Sequence, residues 1–433
     1  MAPVQESWGE PARRPIRVPE MRARRLAAPW LIPVEGAPIQ HGALLIGPDG
    51  RVQAVGPDSS VPRPSDVVAE DFGDAVILPG LINTHTHLEL TGFEGRVREH
   101  EFPVWIRQLR ELKATRTPAE YVAAARRGLT ACYAAGVTTI ADTGDSGAAL
   151  RVLAEAGGSG VAYQEVFGPH PAQAEESLAG LRDRVAYLGG WSGDRVLIGV
   201  SPHAPYTVSG PLFKAVAAWS RAESLPLAVH IAESAAETEL LAKGSGPFAM
   251  AWEARGIPLP RPSGLSPVGW LAEHGVLTEW TLCIHAVQVD QVDIARLADS
   301  GAAIAHCPLS NRAHGHGAAP LGAMLQAGIR VGIGTDSEVS VGRLDLLAEA
   351  RAARSLARLT ADQLIELCTL GGAAALGLAG ETGSLRIGKW GDCVVIRVGN
   401  AGEDDSPAER VLASSSADVL LTCLGGRDVY RAL

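Results

Sequence analysis

Along the chain, apolar positions come in short blocks whose spacing changes twice. Between residues 22 and 75 the blocks are brief and cut by turn residues: APWLIPVEG, then GALLIGPDGRVQAVG, then VPRPSD. The PDG between two apolar runs is a hairpin signal. From residue 75 the pattern becomes an alternation of β-branched runs with Ala-, Leu- and Arg-rich stretches such as PAEYVAAARRGLTACYAAG. That alternation predicts βα units and a parallel sheet. Eight runs read as strands, at 75–85, 137–143, 160–167, 196–203, 226–233, 281–286, 302–308 and 330–337. Eight such units predict an α/β fold closed into a (β/α)8 TIM barrel. Short apolar blocks return in GSLRIGKWGDCVVIRVG (383–399) and DVLLTCLGGRDVYRAL (418–433). The two end pieces predict one small β-sandwich domain formed from both termini. The expected organisation is a tail over 1–20, a first sandwich part over 21–75, the barrel over 76–380 and a second sandwich part over 381–433.

Within the barrel, many candidate strands finish in polar residues: Asp142, Glu165, His203, His230, His285, His306 and Asp336. A strand covered on both faces is apolar throughout, and a polar end without a partner is costly to bury. The first strand runs into LPGLINTHTHLELTG, where His85 and His87 are two apart and so share a face. The C-terminal end of a barrel strand opens on the mouth, where enzymes of this architecture hold their chemistry. A hydrogen-bonded core histidine explains any one of these rings. Three neutral imidazoles and a carboxylate at successive strand ends suit a zinc-like divalent cation better, with room left for water.

Composition narrows the classes. The 433 residues carry a net charge of −10, are 46% hydrophobic and 20% charged, and contain six cysteines. An acidic chain is a poor partner for phosphate backbones, so no nucleic-acid role is expected. The basic run ARRPIRVPEMRARR (12–25) reads as a solvated tail. No apolar run reaches the ~18 residues of a membrane span, and no signal-peptide core is visible. Cys132, Cys283, Cys307, Cys368, Cys393 and Cys423 are scattered with no CxxC pair. Reduced thiols in a cytoplasmic compartment are the expectation.

Six stretches in order, THTH, SPHAPYT, VHIAES, CIHAV, HCPLSN and GTDS, resemble the amidohydrolase superfamily. Within it they resemble the mononuclear-metal branch of deaminases and chlorohydrolases acting on cytosine, guanine, chlorotriazine and adenosyl-type substrates. The end pieces also resemble the family's terminal β-sandwich. The resemblance implies that His85, His87, His230 and Asp336 hold the metal. It implies that His285 meets the attacking water or the substrate, and that Glu233 is the general acid/base. Binuclear members carry a lysine after the fourth strand; SPHAPY has none, so one divalent ion is expected. Zinc is the first expectation, and iron or manganese suits the same donors. In the implied chemistry, Asp336 also takes a proton from water, Glu233 protonates a ring nitrogen, and ammonia leaves.

A cytidine-type zinc deaminase is excluded, because His87-Leu88-Glu89 has the H-x-E spacing but no P-C-x-x-C follows. HExxH is absent as well.

The substrate implied is a small molecule. SPHAPYT resembles the stretch where deaminases of adenosyl substrates present a histidine, which makes His203 a contact candidate. THLELTG with EFPVWIRQL, and HCPLSNRAHGHG, more closely resemble deaminases of 6-aminodeoxyfutalosine, an intermediate in a route to menaquinone. Glu89 would then hold sugar hydroxyls. Phe102 and Trp105 either line the pocket or pack a loop, and Asn311 and Arg312 either face substrate or, for Asn311, stabilise a turn. Amidase and chlorohydrolase activities are the alternatives on the same metal site, and a non-catalytic scaffold is the third. The fold is compatible with a homodimer. The insert AKGSGPFAMAWEARGIPLPRPSG (242–264) is either a flap over the mouth or a surface excursion.

Overall fold

The computed structural model describes residues 22–99, 101–399 and 405–433. The N-terminal strands are β1 (Arg24–Leu31), β2 (Ile39–Ile46), β3 (Val52–Pro57), β4 (Val68–Asp71) and β5 (Ala75–Pro79). Eight parallel strands follow: β6 (Leu81–Thr86), β7 (Val137–Gly144), β8 (Gly160–Val166), β9 (Val196–Pro202), β10 (Leu227–Ile231), β11 (Thr281–His285), β12 (Ala303–His306) and β13 (Val331–Ile333). The chain ends with β14 (Cys393–Arg397), β15 (Val419–Leu424) and β16 (Arg427–Arg431).

β6 to β13 pair in chain order into one sheet, with helices between successive strands. Its first and last strands meet at a parallel bridge between Thr86 and Asp336. Asn83 clamps this seam: its Nδ2 donates to Thr335 Oγ1 at 2.8 Å and its Oδ1 accepts from Thr335 N at 3.1 Å. Alternation along the strands divides the core. Ile82, Ala141, Val161, Leu282 and Ile284 fill the barrel interior, while Val229, Cys283 and Ile304 face the helices. Ala373 and Leu376 join the interior cluster from the C-terminal helices.

The two ends of the chain build a single mixed sheet, ordered β16-β15-β14-β5-β1-β2-β3, with β4 branching from β1. The continuous run 75–85 therefore contains two strands. β5 belongs to this terminal sheet and β6 to the barrel, and Gly80 separates them. A Cβ on Gly80 would stand 2.2 Å from Thr138 Cγ2, so only glycine lets the chain pass here.

Part of the basic run at 12–25 departs from the expectation of a solvated tail. Arg24 and Arg25 lie in β1 and are buried, because Arg24 pairs with Glu70 and Asp428, and Arg25 with Asp58 at 2.5 Å. The tail over 1–20 falls outside the described residues. Among the described residues no helix is long and apolar enough to cross a membrane.

Candidate metal centre and active site

The barrel seam carries the first part of the site. The His85 carbonyl accepts from the amides of both Thr335 and Asp336 at 3.0 Å, which places β6 and the residues after β13 side by side. Asp336 adopts a left-handed φ of 58°, uncommon for a non-glycine residue. Its Oδ1 lies 3.6 Å from His85 Nε2 and 3.4 Å from His87 Nε2. Ser337 N donates to Oδ1 at 2.6 Å and Ser310 Oγ to Oδ2 at 2.5 Å. His230 joins from the end of β10. Its ring centroid lies 4.9 Å from that of His85 and 5.4 Å from that of His87. Ring nitrogens of the three histidines lie within 4.8 Å of one another.

The outer nitrogens are already spoken for. His87 Nδ1 meets the Thr143 carbonyl at 2.8 Å and His230 Nδ1 meets the His203 carbonyl at 3.2 Å. A carbonyl there fixes the proton on Nδ1 and leaves Nε2 with a free lone pair. His85 is buried and neither ring nitrogen has a hydrogen-bond partner. A buried orphan imidazole beside two free lone pairs and a carboxylate fits a divalent cation.

Burial pushes His85 down to about 4, and holds His87 and His230 below the usual imidazole range. The rings are therefore neutral at pH 7, the form that ligates a metal. The same shift sets an acid dependence. An unfolded imidazole takes a proton near 6.5, whereas folded His85 waits until about 4, so the unfolded chain binds more protons between those values. Stability of the metal-free protein is expected to fall as pH drops from about 6.5 to about 4, read as a falling urea midpoint.

The candidate proton-transfer groups stand next to this cluster. Glu237 caps the turn after β10, accepting from Ala232 N and Glu233 N, each at 2.9 Å. This presents Glu233 to the mouth. Its Oε1 lies 3.5 Å from His285 Nε2 and 3.3 Å from His316 Nε2, and its Oε2 accepts from Tyr206 OH at 3.2 Å. Burial alone would raise this carboxyl, but His285 and His316 outweigh it and hold it down to about 2. Glu233 therefore rests as a carboxylate. Leu282 and Ile284 point into the barrel, so simple alternation would turn His285 outward. A left-handed φ of 72° breaks that alternation, and the ring comes within 5.6 Å of His230, centroid to centroid. Its Nδ1 is held by Asn311 Oδ1 at 2.9 Å.

The substrate candidates fall in four places. His203 follows β9, its Nδ1 2.7 Å from Thr207 Oγ1 and its ring 4.7 Å from that of His230. Glu89 is buried and engaged: Oε1 lies 2.8 Å from Lys113 Nζ, and Oε2 accepts from Ser146 N at 3.2 Å and from the Ser146 hydroxyl. Gly144 leaves the room, since a Cβ there would stand 2.7 Å from Glu89 Oε2. Asn311 stands behind His285 and sets the orientation of that ring. Trp105 touches none of the three clustered histidine rings; it stacks on Phe102 and meets His314 edge-on at 4.6 Å.

The insert 242–264 is built into the wall of the site. Its helix Pro247–Glu253 stacks Phe248 on Tyr206 at 4.3 Å, and Trp252 Nε1 donates to the Tyr206 carbonyl at 2.9 Å. His316, Tyr206, Ser310 and Lys113 were not singled out from the sequence. Tyr206, Ser310 and His316 nevertheless lie inside SPHAPYT and HCPLSNRAHGHG. Lys113, at the end of the amphipathic helix Phe102–Lys113, carries no signal of its own.

Comparison with known proteins adds to this geometry. The model of the amidohydrolase family matches residues 76–427. An aminodeoxyfutalosine deaminase of Deinococcus radiodurans is 33% identical over 372 residues, spanning 82% of this chain and 85% of that protein. A 5-methylthioadenosine/S-adenosylhomocysteine deaminase of Moorella thermoacetica is 30% identical over 412 residues, spanning 92% and 91%. Among solved structures, a zinc-bound adenosine deaminase of Xanthomonas campestris superposes with a TM-score of 0.84 at 23% identity, covering 95% of this chain and 94% of that one. The chain belongs to the amidohydrolase family and is a hydrolase acting on carbon–nitrogen bonds.

Proposed function

We propose that this protein is a metal-dependent deaminase of an aminopurine nucleoside, with 6-aminodeoxyfutalosine the favoured substrate. The observation that carries the proposal is Glu233 beside the three-histidine cluster, with His285 and His316 on its Oε1. His85, His87, His230 and Asp336 would hold one divalent ion, zinc first. Such an ion supplies Lewis acidity and brings the pKa of a water toward neutrality, making a nucleophile available at physiological pH.

The chain's own groups account for the proton traffic. Glu233 rests ionised, so it must receive a proton before it can give one. It takes that proton from the attacking water and delivers it to the ring nitrogen next to the carbon under attack. A second transfer through the same carboxyl lets ammonia leave. His285, whose Nδ1 proton is held by Asn311, donates from Nε2 toward the oxygen that develops charge once that nitrogen has also taken a proton. Asp336, with both oxygens already accepting hydrogen bonds, keeps its charge toward His85 and His87.

The choice among nucleosides is supported by the 33% identity to the Deinococcus enzyme and by THLELTG and HCPLSNRAHGHG. Ammonia release from 6-aminodeoxyfutalosine, adenosine, adenosylhomocysteine and methylthioadenosine, with guanine and cytosine beside them, tests it. Turnover led by aminodeoxyfutalosine is expected. Turnover confined to guanine or cytosine would overturn the nucleoside assignment.

A further inference from the structure

Glu165 is the second-to-last residue of strand β8 and has no part in the chemistry described above. It is 2% exposed, and its Oε1 has no hydrogen-bond partner. A carboxyl oxygen of Glu165 lies within 4.8 Å of ring nitrogens of both His203 and His230. The backbone beneath it is fastened, because Arg184 donates to the Glu165 carbonyl. A buried carboxyl with a bare oxygen calls for a partner from outside the chain.

The charges around it select that partner. Lys113 lies 2.6 Å from Asp145 and 2.8 Å from Glu89, and these two acids hold it protonated against the effect of burial. A cation at Glu165 would be opposed by Lys113, and an anion by Glu89 and Asp145. Its bare Oε1 can accept a hydrogen bond from a donor on the substrate. A neutral hydroxyl group matches all of this.

Position says which part of a substrate arrives there. Glu233 and His316 follow β10 and β12, and His285 is the last residue of β11. Glu165 lies near the end of β8 and His203 follows β9, on the other side of His230. Substrate bulk that extends from Glu233 past His230 toward β8 and β9 would meet His203 and Glu165.

We propose that Glu165 is a specificity-determining residue that binds a hydroxyl of the substrate's sugar, beside His203. The inference rests on the nucleoside deaminase reading and adds one contact to it. Its test compares adenosine with 2′,3′-dideoxyadenosine and free adenine in the wild type, Glu165→Ala and Glu165→Gln. Affinity is read as KM, or as a competitive inhibition constant where a compound is not turned over. Glu165→Ala should weaken adenosine about tenfold with kcat little changed, the loss of one hydrogen bond. It should leave dideoxyadenosine and adenine unaffected. Glu165→Gln, which keeps a donor and an acceptor, should restore most of the adenosine affinity. Equal weakening of all three compounds, or none, would overturn the assignment while leaving the deaminase reading intact. A wild type that neither binds nor deaminates adenosine, 2′,3′-dideoxyadenosine or 6-aminodeoxyfutalosine would overturn both.

Discussion

His85→Ala is expected to lose bound metal and turnover together. The ring is buried, makes no hydrogen bond, and lies 3.6 Å from Asp336 and ring-to-ring with His87 and His230. Its Nε2 faces Asp336 Oδ1 at 3.6 Å, and Asp336 keeps its bonds from Ser310 and Ser337, so removal of the ring should leave the fold intact. What it removes is one of four proposed ligand positions. Changing a group one shell further out costs about 10–100-fold in metal affinity or activity, and loss of a ligand itself should exceed that. Metal content by elemental analysis and ammonia release, on the same sample, check both halves. Stoichiometric metal in His85→Ala would mean that the ligand set is wrong.

Glu233→Gln should separate binding from chemistry. The glutamine side chain still offers an oxygen to Tyr206, and Glu237 still caps the turn through two backbone amides. The three-histidine cluster is untouched, so the variant should retain one metal ion. It can no longer carry a proton from water to the ring nitrogen. General acid–base groups contribute about 10²–10⁴-fold, and kcat should fall by that order with metal content unchanged. Wild-type-like turnover would remove Glu233 from the mechanism. A loss of metal would instead show that the carboxyl helps to build the cation site.

Much of this architecture is written locally. Most barrel strands are short apolar runs with a polar residue at or just past the C-terminal end, and the period of βα units shows without any tertiary information. The eight strands of β6 to β13 lie within or overlap the runs read from the sequence. The break at Gly80 was not legible. Ala75–Pro79 and Leu81–Thr86 are equally apolar, and only the pairing of β5 with β14 assigns the first to the other sheet. Arg24 and Arg25 looked like tail charges because their partners, among them Glu70 and Asp428, are distant in sequence.

The site divides in the same way. His85 and His87 announce themselves by spacing, and His230 and Asp336 by their places at strand ends. His285 is on its strand, but its direction depends on one left-handed backbone angle that composition does not encode. His316 reaches Glu233 from a loop whose path is set by long-range packing against Phe102, at 4.4 Å between rings. Lys113 reads as a solvated helix residue until Glu89 and Asp145 are brought to it.

The most direct measurement is a zinc titration of metal-stripped protein, with ammonia release from an adenosine-type nucleoside followed at each addition. One cation held by His85, His87, His230 and Asp336 and required for deamination predicts activity that rises from near zero and saturates at one equivalent. Full activity in stripped protein, or a rise that continues to two equivalents, would contradict it.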